Sequence, residues 1–511
     1  MNAAGLTLGW LSLAAVAVAA ESAPAPSSLA GRKPNIVLIL TDDQGYGDVG
    51  RHGNPVIKTP HLDRLHDESV RLRDHHVSPT CSPTRCSTMT GRHEFRSGVT
   101  HTIWERERMS LKATTIAQVL KSAGYTTGVF GKWHLGDEDA YRPYRRGFDE
   151  SFIHGAGGIG QTYAGTCGDA PGNKYCDPVV LHNGTFVKTS GYCTDVFFGQ
   201  AAQWIESVRG RQPFFAYITP NAPHGPLICP EKYEALYKDQ VKPDVAKFFG
   251  MITNIDDNVG RLLTRLKESN LERNTLVVFM NDNGGTAGVR VWNAGMRGTK
   301  GTPYNGGTRA CGFFRWPGTL APRDVDQLTA HLDLFPTFAA LAGASIPEGA
   351  KLEGYSLLPL LENPAVPWPD RFLVTHVGRW PNGKASEGKY AHVSIRRGVY
   401  NLVSQSGPKW ELYDLKADPG EKQDLAAERP EVVKGLADVY EQWWAETLPC
   451  LENENAWQTA PQVNAFKEQY WKQYGGPGPN NAPPQAGTNS ERPGKPPAEK
   501  PRKPAGKKTK K

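Results

Sequence analysis

Four short apolar runs recur along this chain, with helical stretches between them, and each ends in residues able to do chemistry. Residues 35–40 lead into Asp42 and Asp43, 126–130 into Lys132 and His134, 214–218 into His224, and 275–280 into Asp282 and Asn283. Continuous apolar runs of this length are the pattern of strands buried on both faces. Helices are expected at 59–68, 114–123 and 247–268. The last carries Met251, Ile252, Ile255, Val259, Leu262, Leu263 and Leu266 as one apolar stripe. Strands alternating with helices imply a largely parallel sheet covered by helices. Ligands of such sheets bind at the carboxyl ends of the strands. The seven polar residues named above are therefore expected along one rim. Each alone has an ordinary structural explanation, such as a capped turn or a solvated lysine, but their equivalent positions point to a site. Two adjacent carboxylates at the mouth of a buried strand also require a cation to hold them.

A second feature is Cys81-Ser82-Pro83-Thr84-Arg85, continued to Gly91. Its pattern places Cys81 just before a helix, with Ser82 as cap, Pro83 in the first turn and Gly91 as the stop. An anion is favoured at such a position, and Arg85 adds a cation one turn on. Taken alone, the stretch equally allows a Cys81–Cys86 disulfide or a zinc site with His75 and His76, although neither uses Pro83 or Arg85. Further on, residues 296–309 form a glycine-rich basic loop containing Lys300. It lacks the spacing of a nucleotide-binding loop and leads into a strand at 311–316. A helix is expected at 331–341.

Residues 1–20 have the pattern of a secretory signal, though without Lys or Arg ahead of the apolar stretch. A Pro/Ala/Ser linker follows at 21–33. The catalytic domain is expected at 34–365, closing in a run with four prolines between 359 and 370. A smaller α+β unit at 366–474 is built from short strands at 372–376, 391–395, 400–403 and 411–415, with a helix at 430–444. Residues 475–511 should be disordered. Nine Lys/Arg against two Glu in that tail account for the whole net charge of +7, so the body has no basic surface of the kind a nucleic-acid binder needs. No other segment is apolar enough to cross a bilayer, and the mature protein is expected to be exported, periplasmic or secreted. Eight cysteines suit an oxidising compartment, and a bridge among Cys167, Cys176 and Cys193 is expected.

With these residues assembled, the chain resembles the type I, formylglycine-dependent sulfatases of the alkaline-phosphatase superfamily, from about residue 34 to about 425. The motif Cys81-x-Pro83-x-Arg85 with Thr90-Gly91-Arg92, the block Gly131-Lys132-Trp133-His134-Leu135-Gly136, and Leu412-Tyr413-Asp414-Leu415 carry the resemblance. It implies an α/β fold: a large mixed, mostly parallel sheet flanked by helices, with a smaller C-terminal α+β domain on an antiparallel sheet. It implies that a maturation enzyme oxidises Cys81 to formylglycine, whose hydrated aldehyde attacks sulfur and later expels sulfate through its second hydroxyl. Asp42, Asp43, Asp282, Asn283 and the modified Cys81 would hold one calcium ion. Arg85 would orient the formylglycine, Lys132 and Lys300 would bind sulfate oxygens, His134 would act as base, and His224, with Lys300, would protonate the leaving oxygen. The substrate would be a sulfate ester, a sulfated saccharide or an aryl sulfate, with oligomeric state open. Alternatives are a phosphodiester or phosphonate monoester hydrolase of the same superfamily, or an inactive relative that binds sulfated glycans. Two departures stand out. Asn305 occupies a position where the family often has Glu, and residues 154–160 offer no match to a hydroxyl residue expected there. Trp104, Arg106, Arg108, Arg142, Arg145 and Arg146 are candidates to line the approach.

Overall fold

The computed structural model describes residues 27–161, 165–459 and 464–476. The expected signal, the first part of the linker and nearly all of the basic tail lie outside the described residues. Ten strands form one sheet: β1 (Asn35–Thr41), β2 (Val70–His76), β3 (Thr126–Lys132), β4 (Glu150–His154), β5 (Val179–His182), β6 (Thr185–Lys188), β7 (Phe214–Thr219), β8 (Thr275–Asn281), β9 (Phe313–Arg315) and β10 (Arg323–Ala330). Their order is β10-β2-β9-β8-β1-β7-β3-β4-β5-β6. The four central pairings β8–β1, β1–β7, β7–β3 and β3–β4 and the edge pairing β10–β2 are parallel, whereas β9, β5 and β6 pair antiparallel. This is the mixed, mostly parallel α/β sheet expected.

The sheet exists because its strands can be buried on both faces. All seven residues of β1 are buried, and successive side chains go to opposite sides. Ile36, Leu38 and Leu40 join a cluster with Phe215, Leu276 and Phe338. Val37 and Ile39 join another with Phe214, Phe279, Ile255 and Val259. Each such side chain contributes roughly 1.5–3 kcal/mol on burial. The long helix covering the second face runs Pro243–Glu268, with Pro243 in its first turn, and so starts four residues before the expected position. Six of its seven stripe residues are buried, and Leu263 is half-buried.

Strands β2 and β10 are not among the elements expected from the sequence. Both alternate buried and charged residues instead of running apolar. Their charges are used in pairing across the strands, as when Arg71 bonds Asp324 at 2.5 Å. Strands of this kind carry little apolar signal because only one face is buried.

A second, antiparallel sheet follows the four-proline run, in the order β11 (Phe372–His376), β12 (Val393–Arg397), β13 (Tyr400–Ser404) and β14 (Glu411–Asp414). The helix Pro430–Thr447 covers it, with Leu436, Tyr440, Trp443 and Trp444 packed on Val393, Ile395, Leu402 and Leu412. Among the described residues no helix is long and apolar enough to cross a membrane.

Candidate active site

The four strands whose ends drew attention are neighbours, in the order β8-β1-β7-β3. Parallel pairing in register carries their carboxyl ends to one edge, so Asp42, Asp43, Lys132, His134, His224, Asp282 and Asn283 meet there. Close approach is helped at Gly131 (φ 121°), where a Cβ would lie 2.0 Å from the Thr219 carbonyl oxygen. Asp43 (φ 66°) and His134 (φ 58°) sit in the left-handed region. For residues other than glycine this strain marks positions fixed by their surroundings.

Six charged groups are packed together. Lys132 donates to Asp42 Oδ2 at 2.6 Å, and both side chains are fully buried. Lys300, brought in by the glycine-rich loop, pairs with Asp43 Oδ1. Arg85 donates to Asp282 Oδ2 at 2.8 Å, to the Lys132 carbonyl at 3.1 Å and to the Thr219 hydroxyl. Three carboxylates thus face three cations. Burial alone would raise the Asp43 carboxyl, but Lys300, with His224 and Lys132, holds it well below the usual carboxylate range. Burial, with the neighbouring Asp42 charge, pushes Asp282 up to about 6 against Arg85 and Lys132.

Two oxygens in this cluster have no partner. Asp42 Oδ1 and Asn283 Oδ1 are buried and accept no hydrogen bond, while Asn283 Nδ2 donates to Asp43 Oδ1 at 3.0 Å. Ligand atoms of Asp42, Cys81 and Asp282 lie within 4.8 Å of one another, as do those of Asp42, Asp43 and His224. Orphaned oxygens among carboxylates are costly unless a cation takes them, and the side-chain oxygens of Asp42, Asp43, Asp282 and Asn283 suit a hard cation such as calcium. The residues present therefore fit the metal that the resemblance implies.

Cys81 is the first residue of the helix Cys81–Thr90, not the residue before it. The N-cap is Thr80, and Gly91 closes the helix in the left-handed region. Ser82 does not cap. Its hydroxyl donates to the His134 carbonyl at 2.8 Å, tying the helix start to the end of β3. Cys81 Sγ is 3.5 Å from His134 Nδ1. His134 Nε2 lies 2.8 Å from the Thr102 carbonyl, so the ring proton belongs on Nε2 and Nδ1 is the acceptor. Burial, reinforced by Lys132, keeps this imidazole neutral. His224 Nδ1 donates to the Gly225 carbonyl at 2.7 Å, and its Nε2 is 3.9 Å from Asp43 Oδ2. Burial lowers it to about 4 despite Asp43.

Several expectations fail on contact geometry. None of the eight cysteines is bridged, so the expected bridge among Cys167, Cys176 and Cys193 is absent. Cys167 instead donates to Glu107, and Cys193 lies 3.5 Å from Asn221 Oδ1. Cys86 is a packed thiol beside the Ser97 carbonyl. His75 and His76 are engaged by Thr329, Thr308 and Asp74. Of the candidate approach residues, Arg106, Arg142 and Arg146 are buried and spend their donors largely on backbone carbonyls. Arg108 and Arg145 are paired with Glu138 and Asp139. Trp104, at 38%, and Arg145 remain exposed, and only Trp104 is uncharged.

Residues that sequence reasoning missed include Thr219, which anchors Arg85, and Thr102, whose carbonyl fixes the His134 tautomer. His154 at the end of β4 is also new. It is buried, with neither ring nitrogen bonded. The glycines after it do carry a readable signal. A Cβ on Gly157 would lie 3.0 Å from His134 Cε1, and one on Gly158 would lie 2.8 Å from His224 Nδ1. The loop can pass over both histidines only because it lacks side chains there.

Comparison with known proteins agrees with this geometry. A family model described as Sulfatase matches residues 34–344, and one described as N-sulphoglucosamine sulphohydrolase, C-terminal, matches residues 300–443. Arylsulfatase A of Homo sapiens is 32% identical over 79% of this chain and 86% of that protein. Arylsulfatase J of Mus musculus is 30% identical over 81% of this chain and 76% of that protein. A solved structure of Ps i-CgsB in complex with k-i-k-neocarrahexaose superposes with a TM-score of 0.72 at 29% identity, covering 86% of this chain and 97% of that one.

Proposed function

The chain belongs to the sulfatase family, within the alkaline-phosphatase superfamily, and is a sulfate ester hydrolase; from that premise we propose that it is exported and acts on a sulfated saccharide, using formylglycine made from Cys81 and one calcium ion. The observation that carries this reading is the juxtaposition of Cys81 with His134 at 3.5 Å and with Asp42 and Asp282 in the cluster that leaves Asp42 Oδ1 and Asn283 Oδ1 free.

Asp42, Asp43, Asp282 and Asn283, with the modified residue 81, would hold the calcium. When bound, it supplies charge that polarises a sulfate oxygen and acidifies the nucleophile. Formylglycine supplies a nucleophile that carries its own second leaving route, which a thiol lacks. The rest is done by the chain. Each lysine ammonium has three donors. Lys132 and Lys300 each spend one on a carboxylate, and their remaining donors serve sulfate oxygens. Arg85 holds the helix bearing residue 81 against Asp282 and Thr219. His134 presents Nδ1 as a proton acceptor towards residue 81, locked by Thr102. His224 is neutral here and gains its proton alongside the sulfate anion, which stabilises the imidazolium as Asp43 does. It then gives that proton to the departing alcohol, with Lys300 beside it.

The saccharide substrate is supported by the glycan named in the Ps i-CgsB complex and by the match to the sulphoglucosamine sulphohydrolase C-terminal family. Export is supported by the apolar pattern of residues 1–20. Parallel assays on an aryl sulfate and an aryl phosphonate test the substrate class; preference for the phosphonate overturns it. Mass spectrometry of the peptide containing Cys81, from the native host, should show the aldehyde. An unmodified thiol throughout would favour the glycan-binding alternative.

A further inference from the structure

Arg379 differs from the other arginines near the site. It is exposed and, among the described residues, makes no hydrogen bond or ion pair. The backbone on either side of it is nevertheless held firmly. Arg106 donates to the Gly378 carbonyl at 2.6 Å and to the Trp380 carbonyl at 2.9 Å, and its guanidinium lies over the Trp380 ring at 4.8 Å. Gly378 (φ 70°) comes so close to the 100–106 loop that a Cβ would lie 2.0 Å from the Thr100 carbonyl oxygen. That loop carries Thr102, whose carbonyl orients His134. On its other side, an Arg379 Nη1 lies 4.0 Å from where a Cβ on Gly301 would sit. Gly301 follows Lys300, and its N–H is bonded to the carbonyl of Pro79, two residues before Cys81.

The backbone places this guanidinium between the loop that orients His134 and the loop that delivers Lys300, and its planar fork is preorganised for an oxyanion. Facing both loops with no protein partner among the described residues, it is free to pair with an anion that arrives with the substrate. The same 100–106 loop exposes Trp104, in a left-handed backbone conformation (φ 64°) shared by Glu105 (φ 60°). Two consecutive residues there are strained, and the Trp104 N–H bond to the Gly165 carbonyl, 2.6 Å, helps to hold them.

Resting on the sulfatase reading, we propose that Arg379 is a specificity residue that binds a second anionic group, a sulfate or a carboxylate, on the sugar next to the one whose ester is cleaved. The substrate class is then a saccharide bearing at least two anionic groups. The shared chemistry is an oxyanion matched by a planar fork of N–H donors, so the test must separate the two sources.

Three disaccharides serve as competitive inhibitors of aryl sulfate hydrolysis. All carry the same sulfate ester, and the neighbouring sugar is neutral, sulfated or carboxylated. With the native protein, one of the anionic pair should bind about tenfold tighter than the neutral compound. In Arg379→Ala that ratio should fall to within about twofold, and Arg379→Lys should restore part of it. The ratio cancels any general change at the catalytic centre. A native ratio near one, or a ratio that survives Arg379→Ala, overturns the proposal. Whichever anion gives the larger ratio identifies the source. If the native protein hydrolyses no sulfate ester, the sulfatase reading fails instead; the same three compounds measured by calorimetry still decide whether the subsite exists.

Discussion

Asp333, at the seam between the two sheets, and Asp42, at the end of β1, are both completely buried, yet only Asp333 has both carboxylate oxygens bonded. Asp333 accepts from Arg371 at 2.7 Å on each oxygen, and from the N–H groups of Ala330 and Tyr355 at 2.8 Å. Asp42 has Lys132 on one oxygen and nothing on the other. The nearby seam carboxylates are similarly closed, although the side-chain oxygens of Asn305 and Asn401 are not. Asp74 holds His76 and Arg396, and Glu421 accepts from the Asn305 N–H at 2.9 Å and from Asn401 at 2.7 Å. A buried ion pair is weak evidence of function, since its Coulomb gain is offset by desolvation. The informative quantity is how many carboxylate oxygens are left open. By that measure the seam is structural, and the strand-end cluster is built to receive something.

The comparison breaks most visibly at the nucleophile. Cys81→Ala and Asp282→Ala should each lower kcat/KM for an aryl sulfate by at least about 10⁴-fold; near-normal turnover in either would refute the assigned roles. Next in size, Asp333→Ala strands the Arg371 charge and should cost about 3–5 kcal/mol in denaturant unfolding, with the folded fraction still turning over substrate. Calcium separates the two clusters directly. At a hundredfold excess over its Kd it should stabilise the native protein by about 2.7 kcal/mol, seen as a rise in Tm. That rise should vanish in Asp42→Asn and persist in Asp333→Ala.

The smallest effect concerns acid. Burial lowers His76 and His331 in the seam to about 4, although Asp74 and Glu94 respectively oppose the shift. His331 also faces His93, Asp333 and the His76 carbonyl, and accepts or donates with Ser78 at 3.1 Å. Unfolding releases these rings to the ordinary value of about 6.5, so the unfolded state binds more protons between pH 6.5 and 4. Their stabilisation is fully present above pH 6.5 and lost as pH falls towards 4. By pH 5 each has lost about 2 kcal/mol of it. His331→Asn should flatten that limb of the stability profile. An unchanged slope would show that the seam histidines are not held neutral.

Much of the site was legible because the strands that carry it are buried on both faces and announce themselves as apolar runs. What was not legible was anything whose partner is distant in sequence. Strands β2 and β10 were missed because their charged residues pair with each other, hiding the alternation. Asn305 was noticed as a departure, but its consequence depended on Glu421, which reaches its N–H from beyond the second sheet. Ser82 was read as a cap from its position in the motif, whereas its hydroxyl is claimed by the His134 carbonyl.

Residue type and strand period alone determined that carboxylates, lysines and histidines would collect on one edge, because parallel strands in register must end together. Tertiary structure decided which of them are free to act. It closed Arg106 and Arg146 onto backbone carbonyls, left Arg379 open, and left two oxygens unpaired beside Cys81. The physical reason is that a donor's availability depends on which acceptors lie within about 3 Å of it, and those acceptors come from parts of the chain that only folding brings together.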